Sequence, residues 1–246
     1  MRPGNTISLG ISHIALNTQI ETWLQDKFSA ACAADGQRAN PSGVRISPPL
    51  AAWEEEFFGR GLEENLFETD ERGQIESELL QAGPETGAPP RSYRIFSHEP
   101  VRLFRENFCQ LAAAGRLVFE RGWLRRHVSL EPGRDEHRTT ADHFDLLVKS
   151  AAGTIFIWVE VRRSLFELHK LIADLRACSR RGQHAQADCG FPQNHPRHEF
   201  CVATQPMCLW AVAPDGEISF EVKSDSPTLE LEPLSALPRR SRFELG

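Results

Sequence analysis

The chain has 246 residues, of which 40% are hydrophobic and 25% charged, which is enough to bury a core and favours one domain with a smaller appendage. No apolar run approaches the roughly 18–20 residues that cross a bilayer, and the first residues lack the apolar segment of a secretory signal. We therefore expect a cytoplasmic protein without a membrane partner. Six cysteines are too few for a disulfide scaffold, so we expect reduced thiols.

The net charge of −6 is unevenly distributed along the sequence. Residues 101–200 carry a net charge of +4, whereas residues 1–100 carry −7 and residues 201–246 carry −3. An acidic protein can still bind nucleic acid through one basic face, because phosphate attraction acts within a Debye length of about 10 Å. A solvated arginine-rich surface is the alternative interpretation, since the basic residues are 24 arginines and only four lysines.

Residues 1–90 are predicted to form an acidic, mainly helical N-terminal region. A helical pattern of apolar residues covers 18–35 and ends near Gly36. Residues 36–50 are rich in Pro, Gly and Ser and are typical of a loop, and a second helix is expected over 75–81.

A Pro- and Gly-rich stretch over 83–91 is the best candidate for a linker, so residues 91–246 are predicted to form a separate α/β domain. Ser97 can cap a helix there, and Pro100 is tolerated in a first turn because its missing N–H would be unpaired. An apolar stripe follows and is predicted to end at Gly115.

Strands dominate the rest of the chain. Five are predicted, over 122–130, 143–148, 154–162, 207–213 and 217–222. Between the third and fourth strands, Ser164 and Glu167 form a capping-box pattern that opens a helix. The resulting order, α-β-β-β-α-β-β, predicts a mixed central sheet flanked by helices.

The hairpin that turns at 150–153 determines where two carboxylates lie. If its loop has two or four residues, Asp145 faces Trp158 and His143 faces Glu160. Asp145 and Glu160 then become diagonal neighbours on one face, within roughly 7–8 Å. A three-residue loop would put them on opposite faces. The intervening side chains are expected in an apolar core on the other face: Phe144, Leu146, Val159 and Val161.

Two carboxylates held this close repel each other, so both stay ionised most readily around a divalent cation. Magnesium prefers a few carboxylate oxygens together with water and substrate phosphate. Such an ion can activate water and stabilise the leaving oxygen of a phosphodiester.

The arrangement resembles the PD-(D/E)XK nuclease superfamily, in which an Asp near the start of one strand is followed by (D/E)-x-K on the next strand and then a helix. Asp145 matches the first element, and Glu160 within 158–164 matches the second. The resemblance covers about half of the chain and implies a restriction-endonuclease-like core with Mg²⁺ or Mn²⁺ bound by Asp145 and Glu160. A preceding helix often supplies a further acidic ligand in this family, and Glu106 is the candidate here.

The sequence departs from the family pattern at the catalytic lysine, where it has Arg162. Arginine stays charged and binds phosphate as a fork, whereas lysine can shift its pKa. Some family members place the lysine on a neighbouring helix, and Lys170 could be such a migrated residue. His143, opposite Glu160, could orient that carboxylate or act as an acid–base group.

Two functions follow from the resemblance. The first is a metal-dependent endonuclease acting on DNA, with RNA as the other possible substrate and defence against foreign DNA as a common role in the family. The second is a catalytically degraded nuclease fold that binds nucleic acid or serves as a complex-forming subunit, with the N-terminal region mediating a homodimer or larger complex. Backbone contacts would come from basic residues, which position without reading sequence; the candidates are Arg121, Arg125, Arg126, Arg163, Arg180 and Arg181.

A run of cysteines and histidines between residues 178 and 208 is a second candidate site. Its members are Cys178, His184, Cys189, His195, His198, Cys201 and Cys208. Thiolates and imidazoles suit zinc, and some relatives of the nuclease family hold iron–sulfur clusters through cysteines. No Cys-x-x-Cys pair occurs, and Cys208 is expected in the core of a strand, so buried thiols and loop histidines are the favoured interpretation.

Overall fold

The computed structural model describes residues 9–80, 93–97, 101–130, 144–182, 184–225 and 228–243. These residues form two compact units, one drawn from 1–77 and 92–115 and the other from 78–91 and 116–246. Residues 93–97 and 101–115, which were predicted to belong to the α/β domain, pack here with the N-terminal residues. None of the helices found among the described residues is both long enough and apolar enough to span a membrane. The linker predicted over 83–91 lies outside the described residues.

The N-terminal unit contains two helices, a small antiparallel sheet and most of a third helix. Its elements are α1 (Leu9–Ala34), α2 (Ala52–Glu63), β1 (Glu68–Thr69), β2 (Gln74–Glu76), β3 (Tyr93–Arg94) and the first turns of α3 (Arg105–Phe119). The helix predicted over 75–81 is wrong, because β2 occupies its beginning. A turn closes before β2, where the Asp70 side chain accepts hydrogen bonds from two backbone N–H groups and Gly73 adopts φ 74°. Glycine favours that left-handed conformation.

Helix α3 begins at Arg105, and not near Ser97 as predicted. The Ser97 hydroxyl accepts a hydrogen bond from the Arg102 N–H at 3.0 Å, and the Ser97 N–H donates to the Arg102 carbonyl, so Ser97 pairs with Arg102 and does not cap α3. The helix also continues through Gly115 to Phe119. A Cβ at Gly115 would lie 2.5 Å from the Phe57 carbonyl oxygen, so this glycine permits a close backbone approach and does not end the helix.

The C-terminal unit is built on a mixed six-stranded sheet in the order β4-β5-β6-β7-β8-β9. The strands are β4 (Val128–Leu130), β5 (Leu146–Lys149), β6 (Ile155–Val161), β7 (Cys208–Ala213), β8 (Gly216–Asp225) and β9 (Thr228–Leu234). Only β6 and β7 pair in parallel, and the connection between them contains α4 (Leu165–Arg180) and α5 (His195–Thr204). The α/β class and mixed sheet are as predicted, although α5 and β9 were not foreseen.

The β5–β6 hairpin differs from the predicted register by two residues. Leu147 faces Trp158, so the expectation that Asp145 faces Trp158 is wrong. The turn is closed by the Ser150 N–H, which donates to the Thr154 carbonyl at 2.8 Å. A shift of two residues keeps every side chain on its original face, because side chains alternate with a period of two. The shift therefore moves Asp145 from the level of Trp158 towards the level of Glu160.

Helices α4 and α5 cover one face of this sheet and bury an aromatic cluster. The ring of Phe144 lies 4.2 Å from that of Phe200 and 6.2 Å from that of Trp158. The expectation that Phe144 points away from Trp158 is wrong, because the chain bends at Asp145 before β5 begins. The predicted cap of α4 is confirmed, since the Ser164 hydroxyl accepts a hydrogen bond from the Glu167 N–H at 3.3 Å.

Candidate functional site

Glu160, near the end of β6, is a fully buried carboxylate with a complete set of donors. Its exposed fraction is 0%. Oε1 accepts a hydrogen bond from the Trp158 indole at 3.0 Å, and Oε2 accepts from Arg162 Nη2 at 2.5 Å and from Arg197 Nε at 2.9 Å. A charge can be buried this deeply only when it is paired and hydrogen-bonded. Two arginines and the Trp158 indole therefore compensate the burial of the Glu160 side chain.

Asp145 lies beside the same guanidinium. Its Oδ2 accepts a hydrogen bond from the Val161 backbone N–H at 2.7 Å, which fixes the carboxylate against β6. Arg162 Nη1 lies 3.5 Å from that oxygen and donates to the Val161 carbonyl at 2.6 Å. One guanidinium thus bridges the carboxylates of Asp145 and Glu160, as a cation shared between them would.

This arrangement does not fit a shared Mg²⁺ or Mn²⁺ ion. Such an ion needs free carboxylate oxygens and room for coordinated water. Both oxygens of Glu160 are engaged, and the cation position between Glu160 and Asp145 is occupied by Arg162. Arg197 places a second positive charge next to the Glu160 carboxylate. The donor set is therefore satisfied by the chain itself.

A cavity of about 550 Å³ opens next to these ion pairs. Its lining includes Arg162, Glu167, Lys170, Leu171, Asp174, Phe191, Asn194 and Arg197. The two acids in the wall already have partners, since Glu167 Oε2 accepts a hydrogen bond from the Arg163 backbone N–H at 3.4 Å and Asp174 accepts one from the Asn194 side chain at 2.8 Å. The three basic side chains of the cavity are Arg162, Lys170 and Arg197. They are outnumbered by four carboxylates when Asp145 and Glu160 are counted with the two acids of the wall. An anion bound here would therefore depend on individual hydrogen-bond donors and not on the net charge of the cavity.

The predicted catalytic residues lie in different places. Lys170 is exposed on α4 and lines the same cavity as Arg162. His143 lies outside the described residues. Glu106 is in the first turn of α3, in the N-terminal unit.

The six arginines proposed for backbone contacts are absent from the residues that line this cavity. Arg121 pairs with Glu120 at 3.1 Å, Arg125 pairs with Glu78 at 3.1 Å, and Arg181 donates to the Asp188 carbonyl at 2.8 Å. The other three, Arg126, Arg163 and Arg180, are exposed.

Arg197 was missed by the sequence analysis, although it contacts Glu160 directly. It is 37 residues away from Glu160 and lies on α5, the helix that the sequence pattern did not reveal. Only a prediction of that helix, together with its position against the sheet, could have placed Arg197 beside β6.

The cysteine and histidine run divides into two groups. Donor atoms of Cys178, His184, Cys189 and His195 all lie within 4.8 Å of one another. The remaining members stand apart from that group: His198 is buried on α5, Cys201 is in the core under the sheet, and Cys208 is buried in β7 as expected.

The amino-acid sequence matches no protein-family model and no curated protein.

Proposed function

We propose that the C-terminal unit binds nucleic acid through its phosphates at the Arg162 cavity, on a nuclease-like frame in which an arginine closes the carboxylate pair. The observation that carries this proposal is the position of the Arg162 guanidinium between Asp145 and Glu160. The order of three antiparallel strands, a helix and a parallel strand supports the nuclease-like frame.

The energetics of the ion pairs argue against metal-dependent hydrolysis. Withdrawing one partner from a buried ion pair costs about 3–5 kcal/mol, because a buried charge is left uncompensated. An ion that binds with a dissociation constant of about 1 mM supplies about 4 kcal/mol. A divalent ion that displaced Arg162 from Glu160 would gain little, and it would meet the charge of Arg197 as well.

The donors around the cavity suit a phosphate group. Arg162 and Arg197 line the cavity with guanidinium groups, and arginine is the side chain that binds phosphate oxygens as a planar fork. No partner is found for the Lys170 ammonium in the part of the chain that the structure describes, and this side chain reaches solvent. Such contacts fix the position of a nucleic acid without reading its sequence.

Fluorescence anisotropy with a short labelled DNA duplex, and with an RNA duplex of the same sequence, tests the proposal. We expect saturable DNA binding by the full chain that weakens as salt rises. Lys170→Ala should reduce the slope of log affinity against log salt by about one, as the loss of a single phosphate contact does.

Lys223→Ala is the matched control for Lys170→Ala. It removes the same charge from the same unit, but Lys223 pairs with Glu232 at 2.7 Å on another part of the sheet. Equal losses in the two variants, or no saturable DNA binding at all, would contradict a phosphate site at the Arg162 cavity.

The second candidate function is a metal-dependent DNA endonuclease. It is favoured by the convergence of Asp145 and Glu160 on one cation and by the presence of Lys170 at the same cavity. Under this hypothesis Arg162 turns towards the scissile phosphate when an ion enters. Calorimetric titration with Mn²⁺ distinguishes the two functions, because binding that disappears in Asp145→Asn would support the endonuclease.

A further inference from the structure

Two thiols and two imidazoles meet where α4, α5 and the segment that joins them come together. Cys178 lies near the end of α4, and His195 is the first residue of α5, while His184 and Cys189 come from the segment between the helices. The Cys178 sulfur is 3.6 Å from His184 Nε2, 3.6 Å from the Cys189 sulfur and 3.3 Å from His195 Nδ1. Three residues that lie 6, 11 and 17 positions after Cys178 thus place a donor atom against its thiol.

These separations agree with a tetrahedral zinc site. Zn–S bonds of about 2.3 Å and Zn–N bonds of about 2.0–2.1 Å place two sulfurs about 3.8 Å apart and a sulfur and a nitrogen about 3.6 Å apart. The observed spacings of the Cys178 sulfur are 3.3–3.6 Å, and all four donor atoms lie within 4.8 Å. A sulfur–sulfur distance of 3.6 Å is far longer than the roughly 2.05 Å of a disulfide bond.

Neighbouring groups orient the ligands towards the centre of the cluster. His184 Nδ1 lies 2.7 Å from the Gly182 carbonyl, so an N–H at that atom leaves the Nε2 lone pair for an ion. His195 Nε2 lies 3.3 Å from Glu199 Oε1 but has no hydrogen-bond partner among the described residues, whereas its Nδ1 faces the Cys178 sulfur at 3.3 Å. Histidine ligands of metals typically donate their second N–H to a carbonyl or carboxylate.

The Cys189 sulfur also has a stabilising neighbour, since the Phe191 backbone N–H donates to it at 3.3 Å. Two thiolates would balance the charge of one Zn²⁺, so the bound site would be neutral and could be buried at low cost. Three of the four ligands are buried, which is typical of a closed structural site.

We propose that Cys178, His184, Cys189 and His195 bind one Zn²⁺ ion that fastens the segment between α4 and α5. Residues 190–194 of this segment form part of the wall of the Arg162 cavity. The ion therefore stabilises that wall, and its role does not depend on what the cavity binds.

Metal analysis of the full chain tests the site directly. The protein is purified under reducing conditions from medium supplemented with zinc, and its metal content is measured by plasma mass spectrometry. We expect one zinc ion per chain in the natural protein. Replacement of zinc by Co²⁺ should produce the visible absorption and the sulfur-to-metal charge-transfer bands of tetrahedral cobalt bound to thiolates.

Cys189→Ser and His195→Ala should both lose more than nine-tenths of the bound zinc, as removal of one of four ligands does. Cys201→Ser is the matched control, because this buried thiol lies on α5 outside the cluster and should retain the ion. Circular dichroism checks that each variant is folded. Natural protein without zinc, equal zinc content in all three variants, or a Cys178–Cys189 disulfide in the purified protein would each overturn the proposal.

Discussion

Glu54 in the N-terminal unit and Glu160 in the C-terminal unit are both buried glutamates with arginine partners, but their surroundings differ. Arg105 binds both oxygens of Glu54 and donates its remaining hydrogen bonds to the carbonyls of Pro48 and Pro49. Glu160 has two arginines, and both of them line a cavity. An enclosed ion pair such as Glu54–Arg105 stabilises the fold, whereas arginines that line a cavity can also contact a ligand.

Arg105→Met tests the closed pair and should have the largest effect. It leaves the Glu54 carboxylate buried without a counter-charge, which costs about 3–5 kcal/mol. Urea denaturation measures the free energy of unfolding. Arg60→Met is the control, because Arg60 and Glu64 are 39% and 51% exposed and such pairs contribute at most about 1 kcal/mol. Similar losses in the two variants would show that Glu54 is not held by Arg105.

Arg197→Met tests the open pair. We expect a smaller loss of about 1–3 kcal/mol, because Glu160 keeps its bonds to Arg162 and Trp158. The same variant should bind the labelled DNA duplex more weakly. A loss of stability as large as that of Arg105→Met, with unchanged DNA binding, would place Glu160 in the same structural class as Glu54.

Glu55 offers a contrast within the N-terminal unit, since it is buried and has no arginine bonded to Oε2. That oxygen has no hydrogen-bond partner among the described residues. Burial, with the nearby charges of Glu21 and Glu54, raises the pKa of Glu55 to about 7. Because the pKa of this carboxyl is higher in the folded than in the unfolded protein, the group stabilises the folded state at pH values below its unfolded pKa. This stabilisation is lost as the pH rises through 7.

Glu55→Gln should therefore be more stable than the natural protein at pH 8, by about 1–2 kcal/mol after allowance for solvent screening, and similar to it at about pH 4. Thermal denaturation at both pH values measures the difference. Glu63→Gln is the control, because Glu63 is exposed on the same helix. If the stability of Glu55→Gln changes with pH as much as that of the natural protein, another group causes the pH dependence.

The smallest expected effect concerns the cap of α4, the helix that begins shortly after Glu160 and Arg162. Ser164→Ala removes the cap of α4 and should cost about 1 kcal/mol. Ser164→Asp should recover most of that loss, because aspartate caps a helix equally well. If Ser164→Asp is as unstable as Ser164→Ala, the hydroxyl has a role other than capping.

Local patterns in the sequence predicted the elements around Glu160 but not the contacts between distant ones. The cap at Ser164 predicted α4, and the β-branched run over 154–162 predicted β6. The period of two along the strands put Asp145 and Glu160 together, although the register was displaced by two residues. The displacement follows from the turn around Gly153 and a bulge at Val148 and Lys149, which no alternation pattern encodes.

Two further contacts depend on tertiary structure alone. Arg197 reaches Glu160 only because α5 packs over the sheet, and α5 has no clear apolar period in the sequence. Likewise, Cys178 and His195 meet across 17 residues without the short spacing that marks a zinc motif. Spacing along the chain predicts contacts within one turn or one hairpin, whereas these contacts follow from how the connection between α4 and α5 folds back.

Plasmid nicking in the presence of Mn²⁺ tests the central claim, that Arg162 closes the carboxylate pair, most directly. We expect the natural protein to bind supercoiled plasmid and leave it intact, because Asp145 and Glu160 already share the Arg162 guanidinium. Cleavage should stay at the level of an Asp145→Asn preparation purified in parallel. Nicking by the natural protein that requires Mn²⁺ and disappears in Asp145→Asn would contradict this account and establish a metal-dependent nuclease.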